Sequence, residues 1–210
     1  MSKLKLTHPS IYCLYGKPAS GKSNLIKYIA YHYKKKKLVD FIYVMSGSSF
    51  NGYYQNFLDE KLVVPYTDDK LEQLLGVCAN KKEKGDKFRT LLILDDCLGS
   101  TSWKKPVILK LINNHRHYNI SLIIATQYPN QVSPNIRSNC NLAFIFLART
   151  KRELQALYES YGMGFFNTLP EFSKFIKNLE KYQCLVVNNR EQEFSKVFSL
   201  FIAPNMDKKK

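Results

Sequence analysis

A glycine-containing stretch near the N-terminus has the spacing of a phosphate-binding loop. In residues 16–23, GKPASGKS, four residues separate Gly16 from the Gly21-Lys22-Ser23 triplet. Backbone N–H groups of such a loop surround phosphates, the lysine neutralises their outer oxygens, and the serine hydroxyl binds Mg²⁺. An ordinary turn between a strand and a helix is the alternative. An apolar run before the stretch and a helical pattern after it supply the context that phosphate binding requires.

This pattern predicts a bound nucleotide, with ATP and Mg²⁺ as the cofactors. Lys22 is expected to be catalytic as well as binding, and Ser23 is expected to bind the metal. Pro18 lacks an N–H, so it stiffens the loop at a position that does not donate. The residues expected to contact the nucleotide are Gly16, Lys17, Pro18, Ala19, Ser20, Gly21, Lys22, Ser23 and Asn24.

Two carboxylates end the apolar run LLILDD at residues 91–96. Asp95 falls at the carboxyl end of a predicted buried strand, which is the edge where ligands bind in open α/β sheets. We expect Asp95 to be the second metal partner and Asp96 to polarise the attacking water. The alternative is a strand that ends in a polar turn, with Asp96 capping the next segment.

Gln127 and several arginines are further catalytic candidates. Gln127 follows a predicted strand, where its amide can orient an attacking water, although alone it would also suit a surface turn. A guanidinium against the γ-phosphate accelerates phosphoryl transfer by roughly 10³ to 10⁵. Arg137 and Arg116 are the candidates, followed by Arg149. Each also suits a surface or DNA-facing charge, and none is near the loop in sequence, so a neighbouring subunit is a plausible donor.

The charge balance favours a polyanionic partner. The formal net charge of +15 comes from 32 Lys and Arg against 17 Asp and Glu. Nucleic acid is the first candidate partner and an anionic membrane surface is the second. Lysines cluster at 34–37, 81–87 and 208–210, and Lys104 and Lys105 follow Trp103. Such runs are commonly solvated surfaces, but together they predict sequence-independent binding to phosphate backbones.

Apolar runs and cysteines bear on the cellular setting. No run approaches the ~20 apolar residues that span a bilayer, and the N-terminus lacks the features of a secretory signal. We therefore expect a soluble, intracellular protein.

The five cysteines are scattered singly, which predicts reduced thiols rather than disulfides or a zinc site. His115 and His117 flank Arg116 without ligand spacing, so a polar helix end is favoured over a metal site.

Alternating strand and helix patterns position these residues. Strands are predicted at 11–15, 41–45, 90–96, 121–126 and 142–147, and a final antiparallel hairpin within 184–201. Helices are predicted at 22–34, 70–80, 106–117, 151–162 and 170–182. This alternation predicts one three-layer α/β domain, residues 1–210, on a mainly parallel sheet that the hairpin extends. Residues 1–9 are an N-terminal extension and residues 205–210 are a basic tail.

Over residues 10–150 the chain resembles the FtsK–HerA superfamily, and within it the poxvirus-like genome-packaging ATPases of large DNA viruses and virophages. The resemblance rests on GKPASGKS, LLILDD and HRHYNISLIIATQYPNQVSPNIRSN. It implies a RecA-like P-loop fold in which the strand ending at Gln127 lies between those bearing Gly16 and Asp95. Many superfamily members have glutamate at the position of Asp96, whose side chain is one methylene shorter.

The resemblance also implies partners and a location. It implies a pentameric or hexameric ring of this chain, with ATP at each interface and double-stranded DNA in a basic pore. It further implies packaging of a viral genome into a preformed capsid, a capsid vertex protein as partner, and residence in the viral factory of the host cytoplasm or with the virion.

Two other functions fit parts of the pattern. A small nucleotide kinase also has a phosphate loop, but it needs an arginine-rich lid, and the helical region 151–182 contains only Arg152. A nucleotide-gated adaptor that binds DNA or capsid would need little turnover, and Asp96 and Gln127 argue against it.

Overall fold

The computed structural model describes residues 4–47, 52–97, 99 and 102–206. The lysines at 208–210 and the side chain of Trp103 lie outside the described part. Contacts divide the chain into two compact units. The first, here called the loop unit, comprises Met1–Lys5, Tyr12–Ile29 and Thr126–Lys210. The second, the carboxylate unit, comprises Leu6–Ile11 and Ala30–Ala125. The single-domain organisation stays a prediction.

The described residues form eight strands and seven α-helices. The strands are β1 Ile11–Tyr15, β2 Phe41–Ser46, β3 Val63–Val64, β4 Thr90–Asp95, β5 Ile120–Thr126, β6 Leu142–Phe146, β7 Gln183–Asn188 and β8 Phe198–Ile202. The helices are α1 Lys22–Lys35, α2 Asp68–Glu83, α3 Pro106–Asn114, α4 Pro134–Asn139, α5 Lys151–Leu157, α6 Leu169–Lys177 and α7 Phe194–Val197. A π-helical turn, Tyr158–Gly162, continues α5.

In the loop unit, β1 pairs in parallel with β6, with Cys13 opposite Ala143. Strands β6, β7 and β8 then pair antiparallel in that order. Every residue of β1 and β6 is buried, as expected of continuous apolar runs covered on both faces. The predicted C-terminal antiparallel hairpin is confirmed, and its connection contains the short helix α7.

In the carboxylate unit, four strands run parallel in the order β3-β2-β4-β5. Ser46 and Ala125 are the register partners of Asp95, so the ends of three neighbouring strands are level. All residues of β4 and β5 are buried. The α/β class with a mainly parallel sheet is therefore confirmed, and Asp95 lies at the predicted carboxyl edge of its strands.

Strand β5 is hydrogen-bonded on both sides within the carboxylate unit. On one side it pairs with β4. On the other side, the Leu122 N–H donates to the Ser10 carbonyl at 2.7 Å. Within the loop unit, the Gly16 N–H donates to the Thr126 carbonyl at 3.2 Å. The inserted position that the family resemblance implies for β5 stays a prediction.

Several elements differ from the sequence-based prediction. Helix α3 ends at Asn114, three residues early, because the His115 carbonyl accepts the Ile120 N–H and starts the turn into β5. Helix α6 ends at Lys177, and the chain enters β7 through Tyr182, whose φ of 68° is left-handed. Strand β3 and helix α4 are too short to produce a periodic pattern.

The five cysteines are all free thiols, and four of them are buried. Among the described residues, no helix is long and apolar enough to cross a membrane.

Candidate functional site

The chain after β1 turns sharply to form the predicted loop. The Ser20 N–H donates to the Lys17 carbonyl at 3.2 Å, and Ala19 and Gly21 adopt φ values of 62° and 113°. A Cβ on Gly21 would lie 2.8 Å from the Cδ1 atom of Tyr182. A Cβ on Gly16 would lie 2.6 Å from the Ser20 hydroxyl oxygen. Both glycines of the motif are therefore required by close packing, and Gly21 also by its backbone conformation.

Lys22 lies under this loop. Its side chain is buried, and its Nζ atom donates to the carbonyls of Gly16 and Lys17, the latter at 3.3 Å. Lys22 is also the first residue of α1, whose first turn contains no acidic residue. The positive end of the helix dipole is thus not neutralised by its own first turn, which favours an anion there.

The Ser20 hydroxyl supports the same conclusion. Its oxygen is buried and has no hydrogen-bond partner among the described residues. Buried hydroxyls normally have partners, and a phosphate oxygen would accept its proton. The loop residues therefore fit a nucleotide phosphate, and Ser23, half-buried in the first turn of α1, is placed to offer its hydroxyl to Mg²⁺.

Asn24 uses its side chain elsewhere. Its Nδ2 atom donates to the carbonyls of Ala203 and Pro204 at 3.3 and 2.9 Å, and its Oδ1 atom accepts the Met206 N–H at 3.0 Å. The side chain therefore ties α1 to the segment after β8. Contact between Asn24 and a nucleotide, which stays a prediction, would have to come from its backbone.

Gln127 lies beside the loop. It lines a small cavity of the loop unit together with Gly16, Lys17 and Glu153. Glu153 is a site residue that the sequence analysis missed. Thr150 and Glu153 cap the start of α5 reciprocally, and this Thr-x-x-Glu pattern is visible in the sequence. The pattern predicts a helix start, but it does not reveal that the carboxylate faces the loop.

Asp95 has a partner that sequence reasoning also missed. The Asp95 side chain is buried, and its Oδ2 atom accepts the hydroxyl proton of Tyr54 at 2.6 Å. Burial, followed by the Asp95 charge and hydrogen bond, raises the pKa of Tyr54 well above its usual value, so the hydroxyl stays protonated and donating. Tyr54 thereby fixes the orientation of the carboxylate predicted to bind the metal.

Asp96 differs from Asp95 in both exposure and backbone. It is exposed, with φ at 46°, and its N–H donates to the Ala125 carbonyl at 3.0 Å. A non-glycine residue in this region costs about 1–3 kcal/mol, and such residues concentrate at functional sites. A Cβ on Gly47 would lie 3.0 Å from the Asp96 carbonyl oxygen, so this glycine allows the close approach.

The arginine candidates have different surroundings. Arg137 is half-buried, and its Nη1 atom donates to the carbonyls of Pro129 and Val132 at 3.0 and 3.1 Å. It therefore stabilises the segment between β5 and α4. Arg116 and Arg149 are exposed. The assignment of any of them as a catalytic finger stays a prediction.

The described lysine clusters lie at the surface. Lysines 34–37 and those within 81–87 are exposed. Lys81 pairs with Asp86 at 2.9 Å and Lys105 pairs with Asp68 at 2.8 Å. Exposed pairs of this kind contribute at most about 1 kcal/mol. Most of the positive charge therefore remains available to an external polyanion.

Within each unit, the structure brings together part of the predicted site. The loop unit joins the phosphate loop, Gln127 and the unpredicted Glu153 around one cavity. The carboxylate unit places Asp95 and Asp96 at one strand end and adds Tyr54. Among the described residues, no group of three or more His, Cys, Asp or Glu side chains could hold a metal ion.

Solved structures share this fold. The genome-packaging NTPase B204 from Sulfolobus turreted icosahedral virus 2, in complex with ATPγS, matches with a TM-score of 0.66 and 22% identity, over 91% of this chain and 96% of that one. The type VII secretion ATPase EccC from Thermomonospora curvata matches with a TM-score of 0.60 and 11% identity, over 93% of this chain and 24% of that one. At these identities the likeness supports the fold alone.

Viral proteins of closer sequence also match. Uncharacterized protein 088R of Invertebrate iridescent virus 3 is 32% identical over 181 residues, which are 83% of this chain and 67% of that protein. Uncharacterized protein L437 of Acanthamoeba polyphaga mimivirus is 29% identical over 197 residues, 87% of this chain and 68% of that protein. The family model described as Poxvirus A32 protein matches residues 3–190. The chain therefore belongs to the Poxvirus A32 protein family.

Proposed function

We propose that this protein is an ATPase that drives double-stranded DNA into a preformed viral capsid. The observation that carries the proposal is the phosphate loop, in which buried Lys22, the open N-terminus of α1 and the unpartnered Ser20 hydroxyl converge. Membership of the Poxvirus A32 family and the shared fold with a viral genome-packaging NTPase support it.

The residues have separate roles in the proposed reaction. The loop N–H groups and Lys22 hold the phosphates, and Lys22 exchanges its present carbonyl partners for phosphate oxygens. Ser23 and Asp95 would hold Mg²⁺, which neutralises charge on the β- and γ-phosphates. Tyr54 orients Asp95 through its 2.6 Å hydrogen bond. Asp96 polarises the attacking water and Gln127 orients it.

The proposed motor is a ring of this chain, pentameric or hexameric. An arginine of a neighbouring subunit, Arg137 or Arg116, completes each site at the γ-phosphate. The exposed lysines bind the phosphate backbone of duplex DNA without reading its sequence. A capsid vertex protein anchors the ring in the viral factory or on the virion.

The test is the ATPase rate against protein concentration, with and without long duplex DNA. Specific activity is expected to rise steeply as subunits assemble and to rise further with DNA, because each site needs a neighbour's arginine. Lys22→Ala should abolish hydrolysis, whereas Asp96→Asn should retain ATPγS binding and lose turnover. Normal turnover in Asp96→Asn would rule out its water-polarising role.

The other two functions predict different results in this assay. Phosphate transfer from ATP to a nucleoside monophosphate, without stimulation by DNA, would identify a nucleotide kinase. Negligible turnover at every protein concentration, even with DNA, would identify an adaptor that is gated by nucleotide. A specific activity that is flat with concentration would contradict the arginine in trans.

A further inference from the structure

Glu153 places a buried negative charge beside a loop that fits phosphate. Its side chain is only 4% exposed, and its Oε2 atom accepts the Thr150 N–H at 3.2 Å. Its Oε1 atom is buried and has no hydrogen-bond partner among the described residues. An unpaired buried carboxylate oxygen is energetically costly. The helix cap uses only Oε2, so capping does not account for the buried position of Oε1.

The carboxylate is ionised at neutral pH. Burial raises the pKa of Glu153, but hydrogen bonds from Thr150 and the charge of Lys17 outweigh burial and leave the pKa below its usual value. Near neutral pH, Glu153 therefore presents a charge rather than a carboxylic acid to its surroundings.

The partner of this charge is a residue of the phosphate loop. The Lys17 Nζ atom lies 3.5 Å from the Glu153 Oε2 atom, and the Lys17 side chain is 42% exposed. Because the Lys17 ammonium is partly exposed, water screens the pair and makes it weaker than a fully buried one. A triphosphate in the loop would carry more negative charge and can therefore displace Glu153 from Lys17.

Gln127 is a candidate donor to the unpartnered oxygen. Glu153 and Gln127 line the same small cavity of the loop unit, whose volume is about 10 Å³. That volume suits about one water molecule. The Oε1 atom accepts no hydrogen bond among the described residues, so the Gln127 amide would have to turn toward it or donate through one water. Either bond would direct the amide oxygen of Gln127 away from the carboxylate.

We propose that Glu153 is a positioning residue that holds Lys17 until nucleotide arrives and then orients Gln127. In the nucleotide-free state, Glu153 pairs with Lys17, so an incoming phosphate must compete for that lysine. When ATP binds, Lys17 turns to the phosphates, and the Gln127 amide turns to the Oε1 atom of Glu153 and replaces Lys17 as a donor to the carboxylate. The amide oxygen then faces the attacking water. This inference rests on the proposed ATPase function and assigns a role to a residue outside the loop motif.

The test is Glu153→Gln, which keeps the helix cap because glutamine also suits this capping position. Losing the competing charge should tighten ATPγS binding about fivefold, as expected for a partly exposed ion pair. The value of kcat should fall by about 10- to 100-fold, because Gln127 loses the negative charge of Glu153 that orients its amide. If Glu153 had only a structural role, its replacement would instead weaken ATPγS binding. Weaker or unchanged ATPγS binding in a variant with wild-type thermal stability would overturn the proposal.

Two further variants complete the design. Glu171→Gln is the matched control, since Glu171 follows Thr168 by three residues at the start of α6 and is exposed; it should change neither value. In a Lys17→Ala background, Glu153→Gln should no longer tighten binding. If the tightening persists there undiminished, Glu153 acts without Lys17 and the proposal is wrong. Failure of the wild-type protein to bind ATPγS would instead refute the proposed function.

Discussion

The position and the orientation of the Asp95 carboxylate have two different causes. Its position at the end of β4 follows from an apolar run that must be buried. Its orientation depends on the hydroxyl of Tyr54, which is 41 residues earlier in the chain. Tyr54 is itself 2% exposed. A buried hydrogen bond therefore holds the carboxylate, and its donor, Tyr54, belongs to no recognised sequence motif.

Replacing Tyr54 with Phe should test this hydrogen bond. A hydrogen bond to a charged group contributes about 1.5–3 kcal/mol, so the free energy of unfolding in urea should fall by that amount. Tyr43→Phe, which removes the hydroxyl of a half-buried tyrosine on β2, is the control and should stay within about 0.5 kcal/mol of wild type. Equal losses in the two variants would show that the bond to Asp95 contributes nothing specific.

At the scale of elements, the segment before β1 is part of the carboxylate unit. The Tyr33 hydroxyl donates to the Thr7 carbonyl at 2.6 Å, and the His8 Nδ1 atom lies 2.7 Å from the Ser121 hydroxyl oxygen. Burial is the main cause that lowers the pKa of His8 to about 4. The charges of Arg89 and His115 lower this pKa further, whereas the charge of Asp40 raises it. The folded protein therefore holds His8 in its neutral form.

This histidine should make stability pH-dependent. Its folded pKa of about 4 lies below the usual 6.5, so the unfolded chain binds more protons between these values. Stability should therefore rise from pH 4 to pH 6.5, and His8→Gln should reduce that slope in urea unfolding series. An unchanged slope in His8→Gln would contradict the assignment.

Sequence patterns predicted the elements well where burial is continuous. The runs that became β1, β4, β5 and β6 are buried throughout, so hydrophobicity alone locates them. The sharp turn between β1 and α1 was predictable because phosphate binding, which stays a prediction, requires fixed spacing of its glycines. Strand β3, with two residues, was not predictable, since its pairing with β2 is a tertiary contact.

Side-chain partners in the candidate site were the least predictable part. Thr150 and Glu153 reveal a helix start, but the burial of Glu153 against the loop depends on how α5 packs. Asn24 is adjacent to the motif, and its side chain nevertheless binds the C-terminal segment. Contacts between residues distant in sequence leave no local signal, so only the folded structure shows them.

At the scale of the whole molecule, charge and family membership support a common function. The net charge of +15 suits a polyanionic partner, and the described lysine clusters are at the surface. Such contacts should weaken steeply with salt, because bound phosphates release their counterions. A motor also needs ATP, which the phosphate loop fits. Neither feature alone distinguishes movement along DNA from simple binding to it.

Displacement of the third strand from a DNA triplex distinguishes them most directly. A moving ATPase strips a labelled strand from the duplex, whereas a protein that only binds DNA leaves it in place. We expect wild-type protein with ATP and Mg²⁺ to release the strand, and Lys22→Ala to release none. Robust ATP hydrolysis stimulated by duplex DNA, but with no strand release, would contradict the translocase proposed here.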